Sequence, residues 1–388
     1  MASYYPLFLY LLLAVCALVR LFCQRPWVKK AENVLLVTAV IFYCLRFTIG
    51  PDLSTYVSAF NRVTSIIRDA FTYDTQRNIG FNALLYIGKY WIGSYSLFVL
   101  LTNVLFWIFV GLTIWKHSKS AVISLLLLAG SGVLEVYYGN ALRQSLAMGV
   151  FLFAFYRYIP KRQYGRYAFW TLAAVSLHEI AVIALFVPLV AEYVHKHPDH
   201  LLRKYLILCG IGVVIGFLLI EVLPPIAQKY VWGYGPLMHA MIYFCAPDFS
   251  VIGLAMEICL GIAALFLYYV SSQPKEEFTK VQMAVFMMTL PLYFCLMGYS
   301  LSSRICDFLQ MIEVVFFANL LMSIPQTKMR ILGITGVVAL NFVLLFVDVR
   351  SRIPMVEAMD SAMGKSANAY ICIFDDTVQT VIGNNPDK

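Results

Sequence analysis

Apolar runs long enough to cross a lipid bilayer recur along the whole chain, as in 34–47, 96–115, 206–220 and 331–347. A helix needs about 20 such residues to span a hydrocarbon core about 30 Å thick. In lipid every backbone N–H and C=O must be bonded within the protein, so only helices and closed barrels can span. Barrel strands would read as segments of about ten residues with alternating polarity, whereas these runs are continuously apolar. Composition argues against a water-soluble globule: 61% of the 388 residues are hydrophobic and 13% charged, against about 25% charged in a soluble domain. The expected fold is an all-α polytopic membrane protein.

Eleven stretches read as spans, within an expected total of about 10–12: 4–22, 32–47, 95–115, 121–137, 145–158, 167–192, 206–223, 251–270, 282–297, 305–322 and 331–347. Arg20, Arg25, Lys29 and Lys30 place the first connection in the cytoplasm by the positive-inside rule, with the N-terminus external. Lys116 and Lys119, then Arg157, Lys161, Arg162 and Arg166, follow on the same side. If 167–192 crossed once, the loop with Lys196, Arg203 and Lys204 would be external and every later loop would invert. The expectation is a segment that enters from the cytoplasm, breaks near 176–178 and returns. Residues 1–349 then form a single transmembrane domain, with external loops at 48–94 and 224–250 and an external tail at 350–388. The first loop contains an amphipathic helix, with Leu53, Val57, Phe60, Val63, Ile66 and Ile67 at helical spacing, expected to lie in the interface.

The net charge of +8 is scattered over short loops, with no basic stripe interleaved with aromatics, so nucleic acid is set aside as a partner. The nine cysteines show no metal-ligand spacing, and no metal or other cofactor is expected. The apolar start 1–20 lacks a basic lead and reads as a retained first helix. No hydrolytic triad, phosphate-binding loop or dinucleotide motif is present.

Polar residues in or beside the spans carry the chemistry, because each costs several kcal/mol at membrane depth unless it has a partner or a function. Asp52 and Tyr56 follow the second span, with Asp52 placed as a helix N-cap. Asn140, Arg143 and Gln144 open the helix that begins near 142, where free backbone N–H groups favour an anion. His178 and Glu179 lie midway in a 26-residue apolar stretch, at the expected break. Arg304 and Asp307 start a late span, spaced as a helical ion pair. Glu135, Glu221, Glu257 and Glu313 are further intramembrane carboxylates. Arginines with one histidine and carboxylates on the outer face suit an anionic, diphosphate-bearing lipid substrate, since guanidinium forks bind phosphate oxygens bidentately.

These residues also carry a family resemblance. The run Leu45-Arg46 to Gly50, Asp52 and Tyr56 resembles the opening motif of EpsG-like, Wzy-type bacterial polysaccharide polymerases. Gly80 and Phe81 resemble their next segment. Asn140, Arg143, Gln144 and Ala147 match the pattern Asn-x-x-Arg-Gln-x-x-Ala, and His178 with its flanking alanines matches a further motif. Arg304 falls where the family has a late arginine, so the ordered set covers about 40–310. Leu53 stands where the pattern has Tyr, and Arg77-Asn78 where an acidic residue and Pro are common, so no role for a Glu carries over there.

The resemblance implies a glycosyltransferase with a GT-C-like core that joins undecaprenyl-diphosphate-linked oligosaccharide units without nucleotide sugar. It places the protein in the bacterial cytoplasmic (inner) membrane with the active site facing the periplasm. It also leaves room for a chain-length regulator as partner. In this expectation His178 is the general base, with Asp52 the alternative catalytic residue. Arg143, Arg304 and Gln144 hold the diphosphate, and Tyr56, Asn140 and Glu179 contact the acceptor sugar. An O-antigen-type ligase would share most of these residues. A transporter or flippase of lipid-linked sugars should show internal repeats, and none is found.

Overall fold

Helices form on the apolar stretches, and several of their ends fall at capping residues or prolines. The computed structural model describes residues 5–22, 25–47, 52–70, 78–138, 141–197, 201–230, 244–245, 250–271, 276–297, 299, 301–363 and 371–372. Helix α1 is Tyr5–Phe22 and α2 is Pro26–Cys44, with Pro26 at the first position, where a missing N–H is harmless. Helices α3 (Leu53–Arg62) and α4 (Ile79–Ile87) fill the first long connection. Helices α5 (Tyr95–His117) and α6 (Ala121–Gly130) start at Ser94 and Ser120, whose hydroxyls accept backbone N–H bonds from Leu97 and Ile123. There follow α7 (Leu142–Tyr158), α8 (Tyr164–Leu177), α9 (Val187–Lys196), α10 (Leu201–Tyr230) and α11 (Val251–Val270). The chain continues through α12 (Glu277–Met287), α13 (Thr289–Cys295), α14 (Leu301–Gln310), α15 (Glu313–Met322) and α16 (Thr327–Met363). Among the described residues the only strand pairing joins Arg46–Phe47 to Ile371–Cys372, antiparallel.

The molecule is an all-helical polytopic membrane protein. Four helical stretches are long and apolar enough to cross on their own among the described residues: Tyr95–His117, Leu202–Lys229, Val251–Val270 and Glu277–Cys295. A fifth is the pair α14 and α15, bent by 47° at its break. The other expected spans are helices that are shorter, interrupted or start with charges, such as α2 with Lys29, Lys30 and Glu32. Helix α10 continues past the expected loop start at 224, with Pro224 and Pro225 inside it. Most of the expected loop 224–250 lies outside the described residues. Helix α16 runs to Met363, beyond the expected end of the membrane domain at 349.

Burial is distributed as lipid demands. Every residue of α6 is buried, as are most of α7 and α15, while α10 turns Leu206, Val214, Phe217 and Leu218 outward at about 60% exposure. Between those layers lie buried polar side chains, including Gln144, Glu257 and Glu313. Helix α3 packs its apolar face inward: Tyr56, Val57, Phe60 and Val63 form a second core with Phe81, Leu85, Tyr95, Phe98 and Leu142. Protein therefore covers Val57, Phe60 and Val63, whereas Ile67, expected on the same face, lies beyond the helix and is exposed.

Three breaks interrupt the bundle. Helix α6 stops at Gly130, Gly132 takes a left-handed φ of 75°, and a π-helical turn covers Val133–Tyr137. That φ is strained for any residue with a Cβ. The second break separates α14 from α15. The third is at His178, which is extended (φ −154°, ψ 129°) between α8 and a 3₁₀ stretch Glu179–Phe186.

After His178 the chain turns back along α8. The Tyr167 hydroxyl donates to the Ala184 carbonyl at 2.9 Å, and the Tyr164 hydroxyl to Glu192 at 3.3 Å. A straight helix would separate residues 164 and 192 by about 40 Å. Arg162 and His195 both pair with Glu277, the former at 2.8 Å. The segment is thus a re-entrant hairpin with both ends on one face. Other loops meet at that end of the molecule. Arg20 pairs with Glu32 at 3.2 Å, and Ser120 donates to Glu32. Lys119 reaches Ser323 at 2.6 Å, and Asn319 donates to the His117 carbonyl at 2.9 Å. Single cysteines at positions 161 and 196 should behave alike with an impermeant thiol reagent, both protected in intact cells, while position 55 is labelled. Labelling of 196 without 161 would exclude the hairpin.

Candidate active site

The side chains singled out in the sequence gather at the opposite end. Asp52 occupies the N-cap position of α3, yet its carboxylate makes no capping hydrogen bond. It lines a cavity of about 470 Å³ together with Gln144, Arg304, Asp307, Glu257 and Glu313. Tyr137 and Tyr293 supply aromatic walls. The cavity lies against the first two breaks: Gly130, Ser131, Gly132 and Val133 form one wall, and Gln310, Met311 and Glu313 another. Broken backbone at membrane depth is tolerated where it lines a wet cavity, and the fold places it there.

Asp52 feels both Arg304 and Arg143. Burial pushes the Asp52 carboxyl above its ordinary value, against the pull of Arg304 and then Arg143. Arg143 is the second residue of α7, whose N-cap Ala141 offers no side-chain cap. Its guanidinium and its backbone N–H both lie close enough to the Tyr56 phenol to act on it. Burial pushes the Tyr56 phenol up while Arg143 pulls it down. On its other side Arg143 lies within electrostatic range of Glu179.

His178 and Glu179 form a separate group at the hairpin tip. His178 is 5% exposed, and its Nδ1 accepts the Ile180 backbone N–H at 3.3 Å. That contact engages the Nδ1 lone pair, so the neutral ring carries its proton on Nε2. The extended backbone at His178 also brings Glu179 Oε2 to 3.9 Å from Nδ1, where a continuous helix would turn it about 100° away. Asn78 holds this tip, donating to the Val175 carbonyl at 3.2 Å and to Glu179 at 2.9 Å. Gly80 packs so closely that a Cβ would lie 2.3 Å from Ser176 Oγ. Asn82, buried next to it, donates to the Ser65 and Ile66 carbonyls at 2.8 and 2.7 Å and ties α4 to the turn after α3.

The sequence-derived set thus divides. Asp52, Gln144 and Arg304 share the cavity. Tyr56 and Arg143 bridge from it toward Glu179 and His178. Asn140 lies outside the described residues. Gln144 was expected on the diphosphate, but its Nε2 donates to the Arg304 carbonyl at 3.3 Å, and Oε1 is an acceptor. It therefore positions α14, and its Oε1 is left as an open acceptor. Asp307 was read as the ion-pair partner of Arg304. It lines the cavity, accepts a hydrogen bond from Tyr137 and faces Glu257 and Glu313. Glu257, bound by Gln310 at 2.6 Å, and Glu313 were visible as intramembrane carboxylates. Nothing local distinguished them from Glu135 and Glu221, because their convergence depends on how α11, α14 and α15 pack.

A helical membrane protein whose broken spans enclose a polar cavity lined by Asp52, Arg304 and buried carboxyl groups has the layout of a membrane-embedded site for a polar ligand. The family model for the EpsG family matches residues 33–358, most of the chain, and the protein belongs to that family. Membership indicates a polysaccharide-polymerase type of function, glycosyltransferase-like in kind. No curated protein and no solved structure matches the chain.

Proposed function

We propose that the protein joins undecaprenyl-diphosphate-linked oligosaccharide repeat units on the periplasmic face of the cytoplasmic membrane, within a GT-C-like core. The observation that carries this reading is Asp52 lining the cavity together with Arg304 and within electrostatic reach of Arg143 as well. An acceptor sugar hydroxyl attacks the anomeric carbon of the donor. The glycosidic bond forms as the carbon–oxygen bond to the diphosphate breaks, and the polyprenyl diphosphate leaves with the electron pair. No nucleotide sugar is needed, because the sugar–diphosphate bond is already activated. Arg143 and Arg304 hold the diphosphate as negative charge develops on it. Asp52 takes the hydroxyl proton, since a base is most effective when its pKa lies near the working pH and burial moves this carboxyl that way. His178, with its proton on Nε2, is a donor to a sugar or phosphate oxygen, and Tyr56 and Glu179 flank the acceptor.

Reconstitution in vesicles with lipid-linked repeat units tests the reaction. A ladder of products rising by whole repeats is expected, and it needs neither nucleotide sugar nor an ion gradient. A single capped product would mean a ligase. Movement of the lipid-linked sugar across the bilayer without bond formation would mean a transporter.

A further inference from the structure

We propose that the floor of the cavity is a sugar subsite formed by Glu257, Asp307, Glu313 and Gln144, which takes a neutral or ammonium-bearing sugar and rejects an acidic one. The proposal rests on the polymerase reading for the identity of the ligand. Its geometry is independent of that reading.

Glu313 is 4% exposed, lines the cavity and faces Asp307 and Glu257. Among the described residues no hydrogen bond or ion pair to it is present. A carboxylate this deep in an apolar bundle costs several kcal/mol unless something meets it. The carboxyl groups across the cavity supply no cation to meet it.

The second observation is a neutral atom on a different helix. Gln144 is 1% exposed and its Oε1 has no hydrogen-bond partner, although its Nε2 is bonded. A buried polar atom left open costs about as much as a lost hydrogen bond. Glu313 and Gln144 Oε1 both accept, and both border the same space. Both acceptors would be completed by a ligand rich in O–H or N–H groups. Asp307 and Glu257, already held by Tyr137 and Gln310, keep further acceptor capacity for adjacent hydroxyls. The Tyr137 and Tyr293 walls suit the apolar face of a pyranose ring. A sugar carboxylate placed here would meet three carboxyl groups and one guanidinium, that of Arg304 at the mouth. The three carboxyl groups are not grouped to hold a metal ion among the described residues, so ligand hydroxyls or an ammonium remain the fitting donors.

Saturation-transfer NMR on the purified full chain in nanodiscs, with glucose, N-acetylglucosamine, glucosamine and glucuronate as probes, tests the assignment. Signals are expected from the first three and none from glucuronate. Glu313→Gln should weaken glucosamine about tenfold, the scale of one charge-assisted hydrogen bond, and Glu257→Gln should act in the same direction if Glu313→Gln fails to fold by its melting curve. Saturation transfer to glucuronate equal to that of glucose overturns the proposal. So does no transfer to any sugar, or unchanged glucosamine binding in a folded variant. Sugar binding without any polymer in the vesicle assay would leave the subsite standing and remove the polymerase reading.

Discussion

Asp52→Asn should lower polymer formation about 10²–10⁴-fold, the range a positioned general base supplies. Asn keeps the size of the carboxylate and one acceptor oxygen but cannot take the acceptor proton. His178→Gln should stay within about tenfold of the wild type, because Gln retains a donor and one hydrogen bond is worth roughly 1 kcal/mol. The expectation from sequence, a histidine base, gives way to this one because Nδ1 accepts the Ile180 N–H. Asp52 has no capping duty to perform. The pH profile supplies a second readout. A base must be deprotonated, so activity rises with pH through the Asp52 pKa, which burial moves above the ordinary carboxylate value and Arg304 holds back. Arg304→Gln removes that restraint and should move the acid limb of the profile to higher pH. Near-normal turnover in Asp52→Asn with an inactive His178→Gln would return the base to the histidine.

Arg143→Ala and Arg304→Ala, each assayed at wild-type membrane levels, should each lose roughly 3–4 kcal/mol of barrier lowering, the usual cost of removing one electrostatic contact to a developing anion. Arg143→Lys and Arg304→Lys should recover only part of this, since an ammonium keeps the charge but not the planar fork that grips phosphate at two oxygens. The two sites should differ in one respect. Arg143 also acts on the buried Tyr56 phenol, so Arg143→Ala should lower thermal stability as well as rate. Arg304→Ala leaves intact the backbone carbonyl that Gln144 holds and should act chiefly on rate. Full polymerisation by Arg143→Ala would end its assignment to the diphosphate.

The two-sidedness of the protein was legible in the chain. Lysines and arginines gather in the short loops expected on one side, and the cross-links among Arg162, His195 and Glu277 join three of those loops. The break at His178 was legible too, since a 26-residue stretch with two ionisable groups at its middle fits poorly as one span. The individual polar residues Asp52, Arg143 and Arg304 could be chosen because an apolar environment makes every charge conspicuous. Their partners could not. Whether Asp52 capped a helix or faced a cavity depended on the turn before α3. The tautomer of His178 depended on an extended φ that lets Ile180 N–H reach Nδ1.

The sequence by itself determined that this is a helical membrane protein with its charged chemistry on one face, because lipid as solvent leaves few alternatives for so apolar a chain. Only the tertiary structure decided which carboxylates matter. Glu257, Asp307 and Glu313 come from three helices, α11, α14 and α15, and they meet because α6 and the α14–α15 span both break at the depth where the cavity opens. Each is unremarkable in its own helix. Convergence across a break is a property of packing, and no local pattern encodes it.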